Sequence, residues 1–299
     1  MNLRNRKTIL IYNCMIIPGI IFLILFNIVP FIVGFPISFS NYVPAKGIFG
    51  SKKVGLFWYR YMFSIPEAYR VLVNTLIIAS GKIVMGLIVP IIFSLLLNEV
   101  SVSWFKRLTQ TLVYLPHFLS WVILSGVITS LLAVDGVVNN VIEAMGGERI
   151  FFLARADLFR GILIITETWK EFGFGTIVYL AAMTNIDPTL YESSALDGAS
   201  RWQDMWYITL PSIKPTIILM AVLSLGGILN GGFDQVFNLY SPLVYSTGDI
   251  IDTYVYRMGM VNMQYSLSSA VGMFKSLISI ILIAITNFLA NRLAGYRIF

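Results

Sequence analysis

Long apolar runs, separated by short polar stretches, set the pattern of this chain. Each run approaches or exceeds the roughly 20 residues that an α-helix needs to cross the hydrocarbon core of a bilayer. None shows the alternation of apolar and polar positions that is typical of barrel strands. The pattern therefore predicts an all-α polytopic membrane protein with transmembrane helices. The six predicted spans lie at about 10–38, 70–98, 108–133, 159–183, 210–233 and 270–292.

Two polar stretches are long enough to form substantial outer loops, at 39–69 and 234–269. Residues 55–70 mix aromatic with basic side chains, which is typical of a helix lying in the membrane interface. In the second loop one apolar set shares a helical face. Its members are Ile250, Ile251, Tyr254, Val255 and Met258. This set predicts an amphipathic helix that docks against a partner or packs on the protein's own outer surface.

Composition narrows the class of protein further. The 299 residues are 57% hydrophobic and 12% charged, whereas soluble domains carry about 25% charged residues. The net charge of +6 is scattered over termini and loops, which favours contact with lipid headgroups and gives no basic face for nucleic acid. The single cysteine, Cys14, and the single histidine, His117, exclude an internal disulfide, a cysteine metal site and a histidine metal cluster.

The polar segment 187–211 lies between two apolar runs and contains residues that are typical of helix starts and helix ends. Asp187 followed by Pro188 predicts a helix start, with an acceptor side chain at the N-cap and proline at the first helical position. Gly198 predicts the end of this helix, because glycine adopts the left-handed conformation at little cost. Ser200 and Gln203 then predict a capping box for a second helix. The segment is thus predicted to form two short helices joined at Gly198, outside the membrane.

The same segment resembles the coupling loop of the permease subunits of bacterial ABC importers. Its positions fit the spacing E-A-A-x3-G-x9-I-x-L-P through Glu192, Gly198, Ile208, Leu210 and Pro211. Ser193 and Ser194 replace the two alanines and are small enough to pack in their place. We also expect Leu210-Pro211 to mark a turn into the fifth span.

Other stretches extend the resemblance over about residues 10–295. They read "RLTQTLVYLPHFLSW", "ETWKEFGFGTIVYLAAM", "NGGFDQVFNLYSPLVYSTGDIIDTYVYRMG" and "YSLSSAVGMFKSLISIILI". They are similar to the oligosaccharide branch of these permeases, the maltose-permease-like proteins, and to permeases for pectin- or alginate-derived oligosaccharides. The resemblance implies one permease domain of the type I importer fold in the bacterial cytoplasmic membrane. It also places loop 187–211 and both termini in the cytoplasm, an orientation that the even spread of lysine and arginine does not predict.

The resemblance further implies the partners of the chain. The ATPase is expected to contact Glu192, Ser193, Ser194, Asp197, Gly198, Ala199, Arg201, Ile208, Leu210 and Pro211. No G-x-x-x-x-G-K-[ST] motif occurs, so the chain is predicted not to bind ATP through a P-loop. The resemblance implies that the chain binds no cofactor and has no catalytic residues. ATP and Mg would be held by two copies of a separate ATPase subunit. A second homologous permease related by a pseudo-two-fold axis, an extracellular sugar-binding protein, membrane lipids and the oligosaccharide complete the expected partners.

Charged residues at membrane depth are costly and often functional. Span four carries three of them, Glu167, Lys170 and Glu171, with Trp169 and Phe172 between. Glu167 lies three and four residues before Lys170 and Glu171, which allows one acid–base pair on the helix. The set is either a sugar-facing site, with rings against the sugar and polar groups on its hydroxyls, or a structural pair.

Further candidates for sugar contact lie in other spans. Asn230, Asp234 and Gln235 end the fifth span and either line a cavity or terminate the helix. Tyr114, His117 and Trp121 are spaced by three and four residues and are predicted to share one helical face. Packing of this aromatic stripe is favoured there over sugar binding. Lys82, in span two, is expected to snorkel or to pair with an acid of span four.

Two other classes of protein compete with this interpretation. An ion-coupled secondary sugar carrier would also show charges within the membrane, but would function without an ATPase and would not need the coupling-loop spacing. An enzyme acting on lipid-linked sugars would need a cluster of carboxylates at an interface. The close outer acids of note are Asp249 and Asp252, which makes this second alternative weak.

Overall fold

Helices form almost all of the regular structure in the described part of the chain. The computed structural model describes the backbone of residues 3–294, with side chains described for 12–288 and for Arg292. The chain divides into two compact units. One contains the residues up to Pro66 together with Val255–Phe274, and the other contains Glu67–Tyr254 together with the residues from Lys275.

The first unit begins with a long apolar helix. Helix α1 (Leu3–Leu23) continues through a π-turn (Ile24–Ile28) into α2 (Val29–Ile37). Strand β1 (Ser40–Asn41) follows, then a 3-10 turn (Pro44–Lys46), α3 (Gly47–Gly50) and β2 (Lys52–Lys53). The two strands pair antiparallel, with Ser40 opposite Lys53. Helix α4 (Phe57–Ser64) forms in the segment predicted to hold an interfacial helix, and Trp58 Nε1 donates to the Ser40 carbonyl at 3.0 Å.

The remaining helices follow in chain order. They are α5 (Pro66–Asn98), α6 (Ser103–Tyr114), α7 (Trp121–Leu132), α8 (Val137–Ala144), α9 (Ala156–Met183), α10 (Pro188–Leu196), α11 (Arg201–Asp204), α12 (Leu210–Leu225), α13 (Phe233–Leu239), α14 (Tyr245–Gly248), α15 (Ile251–Tyr256) and α16 (Tyr265–Ala294). Short 3-10 turns lie at Leu115–Phe118, Phe152–Ala154 and Pro242–Val244, and π-turns lie at Met205–Thr209 and Arg257–Val261.

Five helical stretches in the described residues are long and apolar enough to cross a membrane. They are Tyr12–Ile37, Pro66–Asn98, Trp121–Ala144, Arg201–Leu225 and Tyr265–Phe288. Helix α9 has 28 residues and is long enough as well, but its charged residues lower its mean hydropathy. The all-helical membrane fold predicted from the sequence is therefore observed, while the count of six spans stays a prediction.

The third predicted span differs from the sequence expectation. Instead of one helix over 108–133, α6 ends at Tyr114 and passes through a 3-10 turn to an extended residue, Leu119, before α7 begins. Pro116 lies in this turn and has no N–H to donate to a helical carbonyl, which explains the interruption. The prediction that Tyr114 and Trp121 lie on one helical face is therefore wrong.

The fifth predicted span is shifted toward the N-terminus. Its helical stretch starts at Arg201 and α12 ends at Leu225, eight residues before the predicted end at 233. Gly226 and Gly227 follow directly and form a turn. The unwound segment that results separates α12 from α13.

Among the described residues, buried apolar side chains of the second unit form core clusters. One joins α5, α7, α9 and α13 to the 3-10 turn at Pro242–Val244 and the residue before α15, through Ile78, Leu124, Ile128, Phe159, Leu163, Val236, Leu239, Val244 and Ile250. Another joins α5, α9, the π-turn at Met205–Thr209 and α12 through Leu95, Tyr179, Met183, Met205 and Ile213. Ile250, Ile251 and Tyr254 are buried, so these three members of the predicted outer amphipathic face pack on the chain itself.

Two glycines allow helices of the second unit to approach closely. A Cβ at Gly173 would lie 2.1 Å from the Val113 carbonyl oxygen, and one at Gly81 would lie 2.3 Å from Ile164 Cδ1. Small residues at such crossings let helix backbones pack tightly within a membrane. These contacts hold α9 against α6 and α5, and thereby position the charged residues of α9.

Candidate functional site

The first half of the polar segment folds as predicted. Helix α10 starts at Pro188, and the Asp187 carboxylate accepts a hydrogen bond from the Thr189 backbone N–H at 3.0 Å. This backbone hydrogen bond lowers the pKa of Asp187. Gly198 follows the helix with φ +77°, a left-handed conformation that costs residues with a side chain about 1–2 kcal/mol.

The second half differs from its prediction in one respect. The capping box of Ser200 and Gln203 forms, with the Ser200 N–H donating to Gln203 Oε1 at 2.7 Å. However, α11 then continues through the π-turn into α12, so the expected turn at Leu210-Pro211 is absent. The Leu210 N–H bonds to the Met205 carbonyl across the π-turn. This wider turn accommodates Pro211 inside the helix, where its missing N–H would otherwise break the ladder.

The coupling loop, as we call residues 187–211, displays apolar side chains on its outside. Large exposed ones are Leu190, Leu196, Trp202, Trp206 and Tyr207, and Leu196 is 90% exposed. Glu192, Ser193, Asp197, Arg201 and Pro211 are exposed as well, whereas Ser194, Ala199, Ile208 and Leu210 are partly buried. Several large exposed apolar side chains on one segment indicate a site of contact with protein or membrane.

A first polar cluster forms around Lys82, in the middle of α5. Lys82 Nζ donates to the Gly231 carbonyl at 2.7 Å and also to Gln235 Oε1. Glu167 Oε2 lies 3.5 Å from the same nitrogen. The Lys82 side chain is 10% exposed, so the cation is held almost entirely by these three groups. The expectation that Lys82 pairs with an acid of span four is met by Glu167.

The unwound segment after α12 takes part in this Lys82 cluster. Gly232 has φ +84°, and a Cβ there would lie 2.6 Å from Lys82 Nζ. Gln235 is fully buried, and its amide donates to the Leu163 carbonyl and to Thr166 Oγ1, both at 2.8 Å. Gln235 therefore joins the segment to α9 and has no free polar atom to offer a sugar.

A second polar cluster forms around Lys170, which lies on α9. Its Nζ donates to the His117 carbonyl at 3.0 Å and to Glu171 Oε1 at 2.6 Å. The other carboxylate oxygen of Glu171 lies 2.7 Å from His117 Nδ1. Trp121 packs under the cation, with 5.9 Å from Nζ to its ring centroid. The Lys170 cluster thus ties the helix interruption between α6 and α7 to α9.

These clusters change the predicted pairing on α9. Glu167 pairs with Lys82 on α5, and not with Lys170 of its own helix. Glu171 pairs with the adjacent Lys170, although neighbouring residues on a helix normally point apart, because both side chains reach the His117 region. Phe174, which was not predicted, stacks on the His117 ring with centroids 3.9 Å apart. Its only signal in the sequence was its place three residues after Glu171.

The other predicted sugar contacts differ in their surroundings. Tyr114 lines a cavity of about 380 Å³ with Lys106 and Gln110. Phe172 packs edge-on against Phe93, which indicates a structural role.

Three predicted residues keep exposed side chains. Trp169 is exposed beside an apolar cavity of about 260 Å³. Asn230 and Asp234 are exposed on the unwound segment and the start of α13. Within the described residues, the Asp234 carboxylate makes no ion pair, which leaves it available to a ligand.

Comparison with known proteins identifies the class. Residues 83–296 match the family described as binding-protein-dependent transport system inner membrane component. The chain therefore belongs to this family, whose members are the permease subunits of ABC importers. It is a multi-pass membrane transport subunit and not an enzyme, and ATP is hydrolysed by separate subunits in such systems. The secondary carrier and the lipid-linked-sugar enzyme are thereby rejected.

Individual relatives resemble the chain over nearly its whole length. Protein LplB of Bacillus subtilis (strain 168) is 42% identical over 93% of this chain and 87% of its own length. The polygalacturonan/rhamnogalacturonan transport system permease protein YteP of the same organism is 43% identical over the same shares. Among solved structures, a chain of a bacterial alginate ABC transporter in complex with alginate pentasaccharide-bound periplasmic protein superposes with a TM-score of 0.88 at 35% identity, covering 99% of both chains.

Proposed function

We propose that this chain is the membrane-spanning permease of an ATP-driven oligosaccharide importer. We also propose that the coupling loop contacts a separate ATPase and transmits its movement to the membrane spans. The geometry of the loop carries this proposal. Helices α10 and α11 meet at the left-handed Gly198 and form a bent pair. Exposed apolar side chains such as Leu196 and Trp202 suit insertion into a groove on a partner protein.

The proposed cycle is a rigid-body switch between two states. Two ATPase subunits, which hold ATP and Mg, close on ATP and move the coupling loops. Because α11 is continuous with α12 through the π-turn, movement of the loop shifts the membrane span directly. The pathway lies between this chain and a second homologous permease, and an extracellular binding protein delivers the sugar.

The proposed topology has six spans, with α9 as the sixth member of the set. Its 28 residues reach about 42 Å at 1.5 Å per residue, which exceeds the thickness of the hydrocarbon core. Pairing of Glu167 with Lys82 and of Glu171 with Lys170 lowers the cost of its charges in the membrane. With the coupling loop in the cytoplasm of a bacterial cell, both termini lie on the cytoplasmic side.

We further propose that the cargo is an oligosaccharide derived from an acidic polysaccharide. YteP is named for polygalacturonan and rhamnogalacturonan, and a solved neighbour imports the acidic polysaccharide alginate. Within this chain, the exposed groups Trp169, Asn230 and Asp234 are the best placed to contact sugar. A ring face with amide and carboxylate groups matches the apolar faces and hydroxyls of sugars.

Co-purification tests this function. An affinity-tagged copy of the chain, extracted in mild detergent from its own cells, should bring down an ATPase subunit carrying a P-loop and a second six-span permease. Adding the purified complex to liposomes with its binding protein should give ATP-dependent uptake of a galacturonate oligosaccharide. Recovery of the chain as a lone carrier that moves sugar without ATPase would contradict the proposal.

A further inference from the structure

Side-chain hydrogen bonds join the two halves of the coupling loop. The Ser194 hydroxyl donates to Asp204 Oδ1 at 2.7 Å, and the hydroxyl oxygens of Tyr191 and Thr209 lie 2.9 Å apart. The bonded residues are 10 and 18 positions apart along the chain. Both bonds therefore bridge the bend at Gly198.

Helix α10 has little other packing to fix its orientation. None of its residues is buried, and none belongs to the nearby core cluster around Tyr179 and Met205. A Cβ added at Gly198 would meet no atom within 4 Å, so the bend itself is open. The two hydrogen bonds are therefore directional contacts that resist swinging of α10 about the bend.

The first of these bonds depends on a residue that departs from the family spacing. Ser194 stands where the E-A-A pattern has its second alanine, and alanine has no hydroxyl to donate. The neighbouring Ser193 also replaces an alanine, but its hydroxyl donates to the Thr189 carbonyl within α10 at 2.9 Å. The Ser194 hydroxyl also lies 3.0 Å from the Tyr191 carbonyl within α10, but of the two serines it alone reaches across the bend.

We propose that Ser194, Asp204, Tyr191 and Thr209 are positioning residues that make the coupling loop move as one body with α12. The inference rests on the proposed coupling role of the loop. Asp204 immediately precedes the π-turn and Thr209 ends it, so the bonds attach α10 at both ends of this turn. When the ATPase displaces α10, the start of α12 then moves with it. Without these bonds, the same displacement would only change the bend at Gly198.

The test measures movement of α12 in the assembled importer. In a Cys14→Ser background, nitroxide labels at Ser101→Cys and Lys214→Cys report the distance between the α5–α6 connection and α12, with and without ATP, Mg and vanadate. Both positions are exposed. The wild-type loop should give a nucleotide-driven change in distance. With Tyr191→Phe, the moved population should fall by about twofold to tenfold, as expected for loss of one neutral hydrogen bond. With Ser194→Ala, which removes a hydrogen bond to the Asp204 carboxylate, it should fall by about tenfold or more.

Controls separate positioning from other roles. Ser212→Ala, which removes a hydroxyl that donates to the Ile208 carbonyl within one helix at 2.6 Å, should behave as wild type. Asp204→Asn, which keeps an acceptor oxygen, should retain the movement that Asp204→Ala loses. The pair Ser194→Ala with Asp204→Ala should be no worse than either alone, because both remove one shared bond. All variants should keep wild-type membrane abundance, since α10 buries no residue, and distances are compared between complexes that have retained the ATPase subunit.

A full distance change in Ser194→Ala and Tyr191→Phe would overturn the inference, and so would strictly additive losses in the Ser194–Asp204 pair. Reduced membrane abundance of these variants would also overturn it, because the hydrogen bonds would then be needed for folding and not for positioning. Gly198→Val distinguishes this failure from failure of the proposed function. If Gly198→Val releases the ATPase while the hydrogen-bond variants move normally, only the positioning role is wrong. If Gly198→Val also retains the ATPase and transport, the coupling role itself is wrong.

Discussion

At the scale of single residues, each lysine of the two polar clusters is held close to a carboxylate. Lys82 lies 3.5 Å from Glu167, and Lys170 lies 2.6 Å from Glu171. Both side chains are at most 10% exposed, so removing a partner would leave a charge buried without compensation. The clusters therefore act first as links between helices, which favours the structural interpretation for Glu167, Lys170 and Glu171.

Replacement of Glu171 tests this structural role. Glu171→Ala would leave Lys170 without its acid and would release His117. Breaking a buried pair costs about 3–5 kcal/mol. Because Glu171 is 37% exposed, solvent screens this pair and we expect a smaller cost, about 2–3 kcal/mol. The solubilised subunit should show a lower melting temperature and reduced membrane abundance. Unchanged thermal stability together with lost uptake would instead return Glu171 to the sugar site.

Asp234 offers the complementary case at the same scale. Its carboxylate is exposed and, among the described residues, takes part in no ion pair, so Asp234→Ala should leave stability unchanged. If it binds a sugar hydroxyl, loss of a charged hydrogen bond of about 1.5–3 kcal/mol should weaken apparent affinity roughly tenfold or more. Uptake measured against sugar concentration gives the answer. Wild-type uptake and wild-type sugar-stimulated ATPase would exclude the contact.

At the scale of elements, the chain accommodates two prolines in different ways. Each proline lacks the N–H that would donate to a helical carbonyl. At Pro116 the helix stops and restarts at Trp121. At Pro211 it widens by one residue and continues. The first solution turns the chain toward the Lys170 cluster. The second keeps α11 and α12 in one continuous helix.

The bend of the coupling loop gives an element-scale prediction. Gly198→Val must adopt φ near +77°, which costs a residue with a side chain about 1–2 kcal/mol and more for a β-branched one. We expect normal membrane abundance, weakened recovery of the ATPase subunit in a pull-down, and lost transport. Gly198→Asn is the matched control, because asparagine tolerates the left-handed region, and it should retain the ATPase. Equal retention by both variants would make the segment a linker only.

Charge at the same contact gives an independent prediction. Glu192 is exposed on α10, so Glu192→Lys changes no internal packing and should not affect insertion. Reversal of charge should weaken retention of the ATPase and lower transport. The exposed Glu148, which lies far along the chain from the loop, is the control, and Glu148→Lys should retain the ATPase fully. Similar retention in both variants would remove Glu192 from the interface.

At the scale of the whole molecule, the division of labour between subunits can be tested directly. The sequence has no phosphate-binding P-loop, and the family assignment places ATP hydrolysis in other subunits. The purified chain alone should therefore show neither saturable ATP binding in equilibrium dialysis nor ATPase activity. Both should appear when the ATPase subunit is added. Saturable binding by the isolated chain would contradict this separation.

The sequence by itself determined the membrane class, the helix starts at Asp187 and Ser200, and the left-handed Gly198. These features follow from apolar run length and from local backbone chemistry, which act within a few residues. The spacing of the family motif around Glu192 could also be recognised from the sequence alone, because the motif is defined by positions along the chain.

Only the tertiary structure decided which charged side chains meet and what the prolines do. Lys82 reaches Glu167 because Gly81 lets α5 approach α9 closely. In the same way, Gly173 of α9 lets the backbone of α6 at Val113 come close. This second contact brings His117, just after α6, within hydrogen-bond distance of Glu171. Spacing on one helix predicted a Glu167 partnership within α9, since it carries no information about neighbouring helices. Whether a proline breaks a helix or is absorbed in a π-turn likewise depends on the contacts around it, and these form only when the helices pack.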